Sequence, residues 1–261
     1  LVKSQYAPKT IMLLAMCLSL SACGNPNASP GELCGLATDQ WDSLDAPVSR
    51  EQTVDVWVHP DFSSTERAGI ERAVAQWNSD VGPTAGRQLL RMRIGSFPGL
   101  TTGAHLTSCQ FQGGSERSFA ILRETRMDVW TSMNMSEANP GFTVRCKQRG
   151  NLVRQVVLLN PELVPLPQFT SVALHEIGHA VGLDHSCQNG AGSPHFRSCS
   201  GLTETHPYRQ AVMFPTLRIV DDQAASRREA GHPHLSSSGT LDLRDVLRTN
   251  DQERARCLYG S

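Results

Sequence analysis

The 261-residue sequence offers no obvious membrane span: its N-terminal apolar run, Ile11 to Leu20, stops after ten residues, about half the length a spanning helix requires. Neither sign of charge dominates, since 24 Lys and Arg stand against 25 Asp and Glu, giving −1 with His neutral. Nothing global therefore argues for nucleic acid or an anionic membrane surface as the main partner. No C-x-x-C pair occurs among the eight cysteines, which counts against a cysteine-rich zinc site. There is no internal repeat. What is present is an ordinary globular composition, 39% hydrophobic and 19% charged, sufficient for a buried core.

The N-terminus departs from that average. Lys3 and Lys9 precede the apolar run, and small residues Ser21 and Ala22 follow it, the order of charge, apolar core and small residues found in secretory signals. Leu20-Ser21-Ala22-Cys23 resembles a bacterial lipobox. The resemblance implies a lipoprotein signal peptide over 1–22 and a lipidated Cys23; the other reading is a simple signal with an incidental cysteine. Gly24 after the cysteine, rather than Asp, favours the outer membrane where the organism has one, and the cell surface otherwise. Residues 23–52, rich in Pro, Asn, Gly, Ser and Asp, read as a tether lifting a domain off the membrane. Setting aside Cys17 and Cys23 leaves Cys34, Cys109, Cys146, Cys187, Cys199 and Cys257. An even set in an exported domain reads as disulfides. Only Cys187–Cys199 can be paired in advance, because it closes a short local loop.

The folded domain is expected over 53–261. Val54, Val56 and Val58 alternate as a strand does. Ser63 to Glu66 forms a capping box opening a helix whose stripe is Ile70, Val74 and Trp77. Leu90, Met92 and Ile94 suggest a second strand, and Phe119 to Leu122, Met127 to Trp130 and Val153 to Leu159 further ones. A helix is expected from Phe169 to Leu183, with Ala173, Ile177 and Ala180 on its buried face. A last helix is expected near Asn250 to Leu258, capped by Asn250 and Glu253. Strands first, helices later and a long irregular region between define an α+β domain: a mixed, twisted sheet with an active-site helix and a C-terminal helix.

The chemistry lies in His175-Glu176-Ile177-Gly178-His179-Ala180-Val181-Gly182-Leu183-Asp184-His185-Ser186. On a helix, residues four apart differ by about 40° in direction and about 6 Å in rise. His175 and His179 therefore project side by side and can share one metal ion. Glu176 sits beside the first of them, where a carboxylate can reach a water on that metal. Gly182 lets the chain leave the helix through a tight turn and bring His185 back as a third ligand. Three protein ligands leave a fourth position open, as catalytic zinc sites do. Ordinary residue frequencies give H-E-x-x-H by accident in roughly one chain of this length in a hundred or more, and the added glycine and histidine lower that several-hundred-fold.

This pattern resembles that of the metzincin zinc proteases. Ser186 after the third histidine is similar to the matrixin branch. Ala211-Val212-Met213-Phe214-Pro215 resembles the matrixin Met-turn, and Cys257-Leu258-Tyr259-Gly260 the end of its last helix. The resemblance implies one catalytic Zn²⁺ on His175, His179 and His185, Glu176 as general base, and Met213 beneath the site. It also implies Phe214, Pro215 and Leu217 as walls of the pocket for the residue after the cut bond, and an extended substrate laid on an edge strand, here Val153 to Leu159. Departures accompany it. Met213 lies 28 residues after His185, the Asp- and His-rich loop that holds structural zinc and calcium has no counterpart, and calcium is accordingly left open. His59, His105, His195, His206, His232 and His234 show no ligand spacing. No pro-domain with a switch cysteine is seen; Cys34 is either a disulfide partner or a cap on the metal.

The expected activity is thus metal-assisted hydrolysis of peptide bonds in extracytoplasmic proteins by a membrane-anchored lipoprotein. A surface-recognition lipoprotein that keeps zinc for stability, or a zinc hydrolase of a non-protein amide, are the rival readings. Oligomeric state is not encoded legibly.

Overall fold

A computed structural model describes residues 29–97, 109, 118–136, 139–148, 151–216 and 244–260. The expected signal peptide, Cys23 and Leu217 lie outside the described residues, as do His105, His232 and His234. The sheet is built by alternation. In β1 (Val54–Val58) the three valines are fully buried while Asp55 and Trp57 face the other way. β2 (Leu90–Ile94) and β3 (Ser118–Arg123) pair with it in parallel. β4 (Gly141–Gln148) and β5 (Asn151–Leu159) form a hairpin joined through β5 to β3, giving the order β2-β1-β3-β5-β4. β4 alone runs antiparallel. A mixed five-stranded sheet with helices packed on it is the α+β architecture expected.

One face of the sheet carries the main core. α2 (Ser64–Val81) and α4 (Leu166–Ala180) pack there, with Ile70, Val74, Trp77, Ala173 and Ile177 buried among the β1 valines, Phe119 and Ile121. The α2 capping box forms as expected: Glu66 accepts from the Ser63 backbone N–H at 2.6 Å and donates its own to Ser63 Oγ at 3.2 Å. The Trp77 indole N–H, buried by α4, donates to the Leu174 carbonyl at 3.1 Å, locking the two helices together. On the other face Ala120, Leu122, Val144, Val156 and Leu158 pack with Trp130. Trp130 belongs to α3 (Met127–Ser132), so the strand expected over Met127 to Trp130 is a helix. Glu124 decides this: its carboxylate accepts the Arg126 N–H and its carbonyl accepts the Trp130 indole, turning the chain back on itself.

The tether expected over 23–52 fails from residue 29 onward. α1 (Pro30–Leu33) and a short 3₁₀ helix over Thr38–Ser43 lie against the domain, with Gln40, Ser43, Leu44 and Val48 buried. Cys34 is joined to Cys257 in α6 (Thr249–Tyr259), so it is not a cap on the metal. Cys109–Cys146 and Cys187–Cys199 are the other disulfides, the last being the expected staple. α4 begins three residues earlier than expected, with Pro165 and Pro167 at its start where missing N–H groups cost nothing, and ends three earlier, at Ala180, where the chain turns toward Gly182. In α6 the capping carboxylate is Asp251, which accepts the Arg248 N–H at 3.1 Å; Asn250 instead bonds the buried Gln40.

Candidate metal centre and active site

α4 places His175 and His179 one turn apart, and their rings lie 4.8 Å apart, edge to face. After Ala180 the chain turns through Gly182 at φ +105°, with Leu183 N–H returning to the Gly178 carbonyl at 2.9 Å. A side chain at 182 would strike the Ala46 carbonyl at 2.6 Å, so glycine is required both by conformation and by contact. His185 then swings back until its ring lies 5.3 Å from His175 and 4.7 Å from His179. One ligating atom from each of the three lies within 4.8 Å of the others.

The orientation of these rings fits a metal. His175 Nδ1 meets the Val212 carbonyl at 2.7 Å and His179 Nδ1 meets the Leu183 carbonyl at 2.8 Å. A carbonyl can only accept, so both Nδ1 atoms carry the proton and both Nε2 atoms present a bare lone pair inward. His179 Nε2 lies 3.2 Å from His185 Nε2. Tetrahedral ligands at 2.0–2.1 Å are separated by about 3.3 Å. Burial lowers the proton affinity of His175 and of His179, the latter strongly, and pushes His185 down to about 3. The neighbouring imidazoles add to this at His179 and His185. All three are thus held neutral, the form a metal ligand needs.

His185 stands on a loop that other segments hold. Asp184 N–H donates to the Ser43 carbonyl at 3.0 Å, and Asp45 N–H to the Gly182 carbonyl at 2.8 Å. The fully buried Arg254 of α6 donates to the carbonyls of Asp184 at 2.9 Å and His185 at 3.1 Å. Gln40 donates to the Ser186 carbonyl at 2.9 Å. Met213 packs directly under α4: a Cβ at Gly178 would lie 2.3 Å from its sulfur. The turn carrying Met213 is fixed by the buried carboxylate of Asp251, which accepts from Val212 N–H at 2.8 Å and Met213 N–H at 3.1 Å. Asp251 and Arg254 are site-supporting residues that sequence reasoning missed; a buried i,i+3 ion pair on the last helix leaves no signature distinct from a solvated one.

Glu176 is buried beside the cluster, and Thr143 Oγ1 donates to its Oε2 at 2.7 Å. Desolvation raises its pKa to about 7, against the opposing pull of Thr143 and Arg145. A cation on the histidines would act in the same direction as those two. The cleft, about 600 Å³, is lined by the three histidines and Glu176 together with Val172, Phe142 and Pro215. Pro215 lines this cleft. Phe214 does not: it lines a separate one, with the guanidinium groups of Arg209 and Arg244 at 5.3 and 5.1 Å from its ring centre. The edge strand is also corrected. β5 is paired on both sides, and the strand bordering the cleft is β4, from which Gly141, Phe142, Thr143 and Arg145 line it. Elsewhere, His195 stacks on Trp41, His206 caps a short helix, α5 (Pro207–Gln210), and His59 faces Asp61.

No family model and no curated protein sequence matches the chain significantly. Among solved structures, that of myroilysin is similar at a TM-score of 0.35 and 10% identity, over 82% of this chain and 85% of that one. A likeness that low leaves the assignment to the residues themselves.

Proposed function

We propose that the chain is a zinc-dependent endopeptidase of the metzincin type, resembling the matrixins, acting on extracytoplasmic proteins or peptides. The observation that carries this reading is the convergence of three neutral imidazoles, two of them held by carbonyls at Nδ1, beside a buried glutamate that is not needed to hold a metal. A zinc ion on His175, His179 and His185 would supply Lewis acidity, polarising a substrate carbonyl and making water a nucleophile near neutral pH. Glu176, its proton affinity already raised by burial, would take a proton from the attacking water and hand it to the departing amine. The outer edge of β4 offers backbone groups to an extended peptide, which would add to it as a further strand. Val172 and Pro215 give the pocket an apolar wall and favour an apolar side chain after the cut bond.

Three disulfides suit an oxidising, extracytoplasmic setting. No described helix is long and apolar enough to cross a membrane. Attachment through a lipidated Cys23 supplies the anchor in this reading. Incubating the mature domain with a mixed peptide library, with and without a zinc chelator, tests the proposal. Cleavage abolished by the chelator and restored by zinc is expected; a zinc-loaded domain that cuts no peptide would refute it.

A further inference from the structure

Period two along β4 turns Gly141, Thr143 and Arg145 toward α4, where the first two meet Glu176 and the third meets Asp184. A Cβ at Gly141 would lie 2.7 Å from Glu176 Cγ, 2.8 Å from Oε1 and 3.0 Å from Cδ. Only glycine leaves the glutamate side chain its place. Two residues on, Thr143 Oγ1 lies 2.7 Å from Glu176 Oε2 and 2.9 Å from the Glu176 carbonyl oxygen. Two residues further, Arg145 pairs with Asp184, the neighbour of His185. The opposite face, Phe142, Val144 and Cys146, packs into the second core cluster, which fixes the register of the strand against the site.

Glutamate has three rotatable side-chain bonds, and a carboxylate beside an open cleft has several rotamers to choose from. Here the choice is made by β4. We propose that Thr143 is a positioning residue for Glu176: its hydroxyl holds one carboxylate oxygen while the absent side chain of Gly141 gives the rest of the group its room. The proposal rests on the protease reading of the site and adds to it that one strand both borders the substrate and sets the base. At 2.7 Å the Thr143 hydroxyl lies at full hydrogen-bonding distance from the carboxylate oxygen. Thr143 is itself buried, so water does not readily replace the hydroxyl if it is removed.

The test uses the full domain loaded with zinc, as wild type, Thr143→Val, Thr143→Ser and Gly141→Ala. Valine keeps the shape of threonine and removes only the donor. For a fluorogenic peptide, Thr143→Val should lower kcat on the order of 10–100-fold, as misplacing a catalytic group does, with KM within about twofold. Thr143→Ser should restore kcat to within about threefold of wild type, and zinc content should stay the same throughout. Gly141→Ala should lower kcat like the valine variant. A Thr143→Val protein with wild-type kcat, or a loss that serine does not repair, would overturn the proposal. A second readout needs no turnover: calorimetric titration with acetohydroxamate, a zinc ligand whose hydroxyl needs an acceptor such as Glu176. Its affinity should fall on the order of tenfold in Thr143→Val and return in Thr143→Ser; equal affinity in all three would overturn the positioning role. Should wild type bind acetohydroxamate yet cleave no peptide, the protease reading fails and the titration alone decides the role of Thr143.

Discussion

Gly178→Ala reverses an ordinary rule and so tests the packing under the metal centre. In an unhindered helix interior, glycine to alanine stabilises by about 1 kcal/mol. At Gly178 the new Cβ would lie 2.3 Å from Met213 Sδ, 3.1 Å from its Cε and 3.1 Å from Trp77 Cζ2. Neither neighbour can retreat freely. Met213 is fully buried, its N–H is held by Asp251 and its carbonyl by Ser186, while Trp77 is tied to the Leu174 carbonyl. Overpacking of a tight core costs about 1–3 kcal/mol, and a contact this close belongs at the upper end. Subtracting the helical gain leaves a net loss of about 2 kcal/mol, a fall in Tm of about 4–8 °C for a domain of this size. Scanning calorimetry of the zinc-loaded proteins measures it. Gly178→Ala combined with Met213→Ala should cost less than the sum of the two single changes, since the clash is gone. A raised Tm in Gly178→Ala would refute the claim that Met213 lies against the ligand-bearing helix.

The support around the third ligand gives further expectations. Asp251→Asn replaces a buried acceptor of two turn N–H groups and a partner of Arg254; it should cost about 3–5 kcal/mol and weaken zinc binding, and unchanged melting would contradict the role given to the Met213 turn. Gln40→Ala removes the bond to the Ser186 carbonyl and the partner of Asn250; a loss of about 1–3 kcal/mol is expected in chemical denaturation, and none at all would mean the N-terminal segment does not brace the His185 loop. Cys23→Ser should release the domain from the membrane fraction or leave it unprocessed, because stable anchoring takes two acyl chains or signals; wild-type protein found wholly soluble with an unmodified Cys23 would contradict anchoring.

The three-histidine cluster is legible because two of its members lie four residues apart on one helix and the third follows a glycine exit, so local geometry brings them near one another and distant segments only brace the third. β1, α2 and the buried stripe of α4 were legible for the same reason: their periodicity is local and uninterrupted. β4 escaped although Phe142, Val144 and Cys146 alternate, since Gly141 and the charged Arg145 and Lys147 weaken the pattern. Gly141 and Arg145 answer to Glu176 and Asp184 rather than to the strand. Without β4, the sequence makes β5 the edge. The N-terminal segment is illegible for another reason. Its polar, Gly- and Pro-rich composition resembles a linker, but it is held by backbone hydrogen bonds, a buried Gln40 and the Cys34–Cys257 link, none of which requires apolar residues. Phe214 is placed in the cleft by resemblance alone; nothing local in the sequence signals that Arg209, five residues before it, and Arg244, thirty after it, pack on its ring instead.

The central claim is that His175, His179 and His185 hold the metal while Glu176 does the proton transfer. Zinc stoichiometry and hydrolysis of a fluorogenic peptide, measured side by side on wild type, Glu176→Ala and His179→Ala, test it most directly. Glu176→Ala should hold one zinc ion per chain and lose at least the roughly 10²–10⁴-fold that a positioned general base contributes. His179→Ala should lose metal and activity together, because zinc binding depends on the full set of neutral imidazoles. Wild type and Glu176→Ala cleaving equally well, or His179→Ala keeping its zinc, would contradict the account.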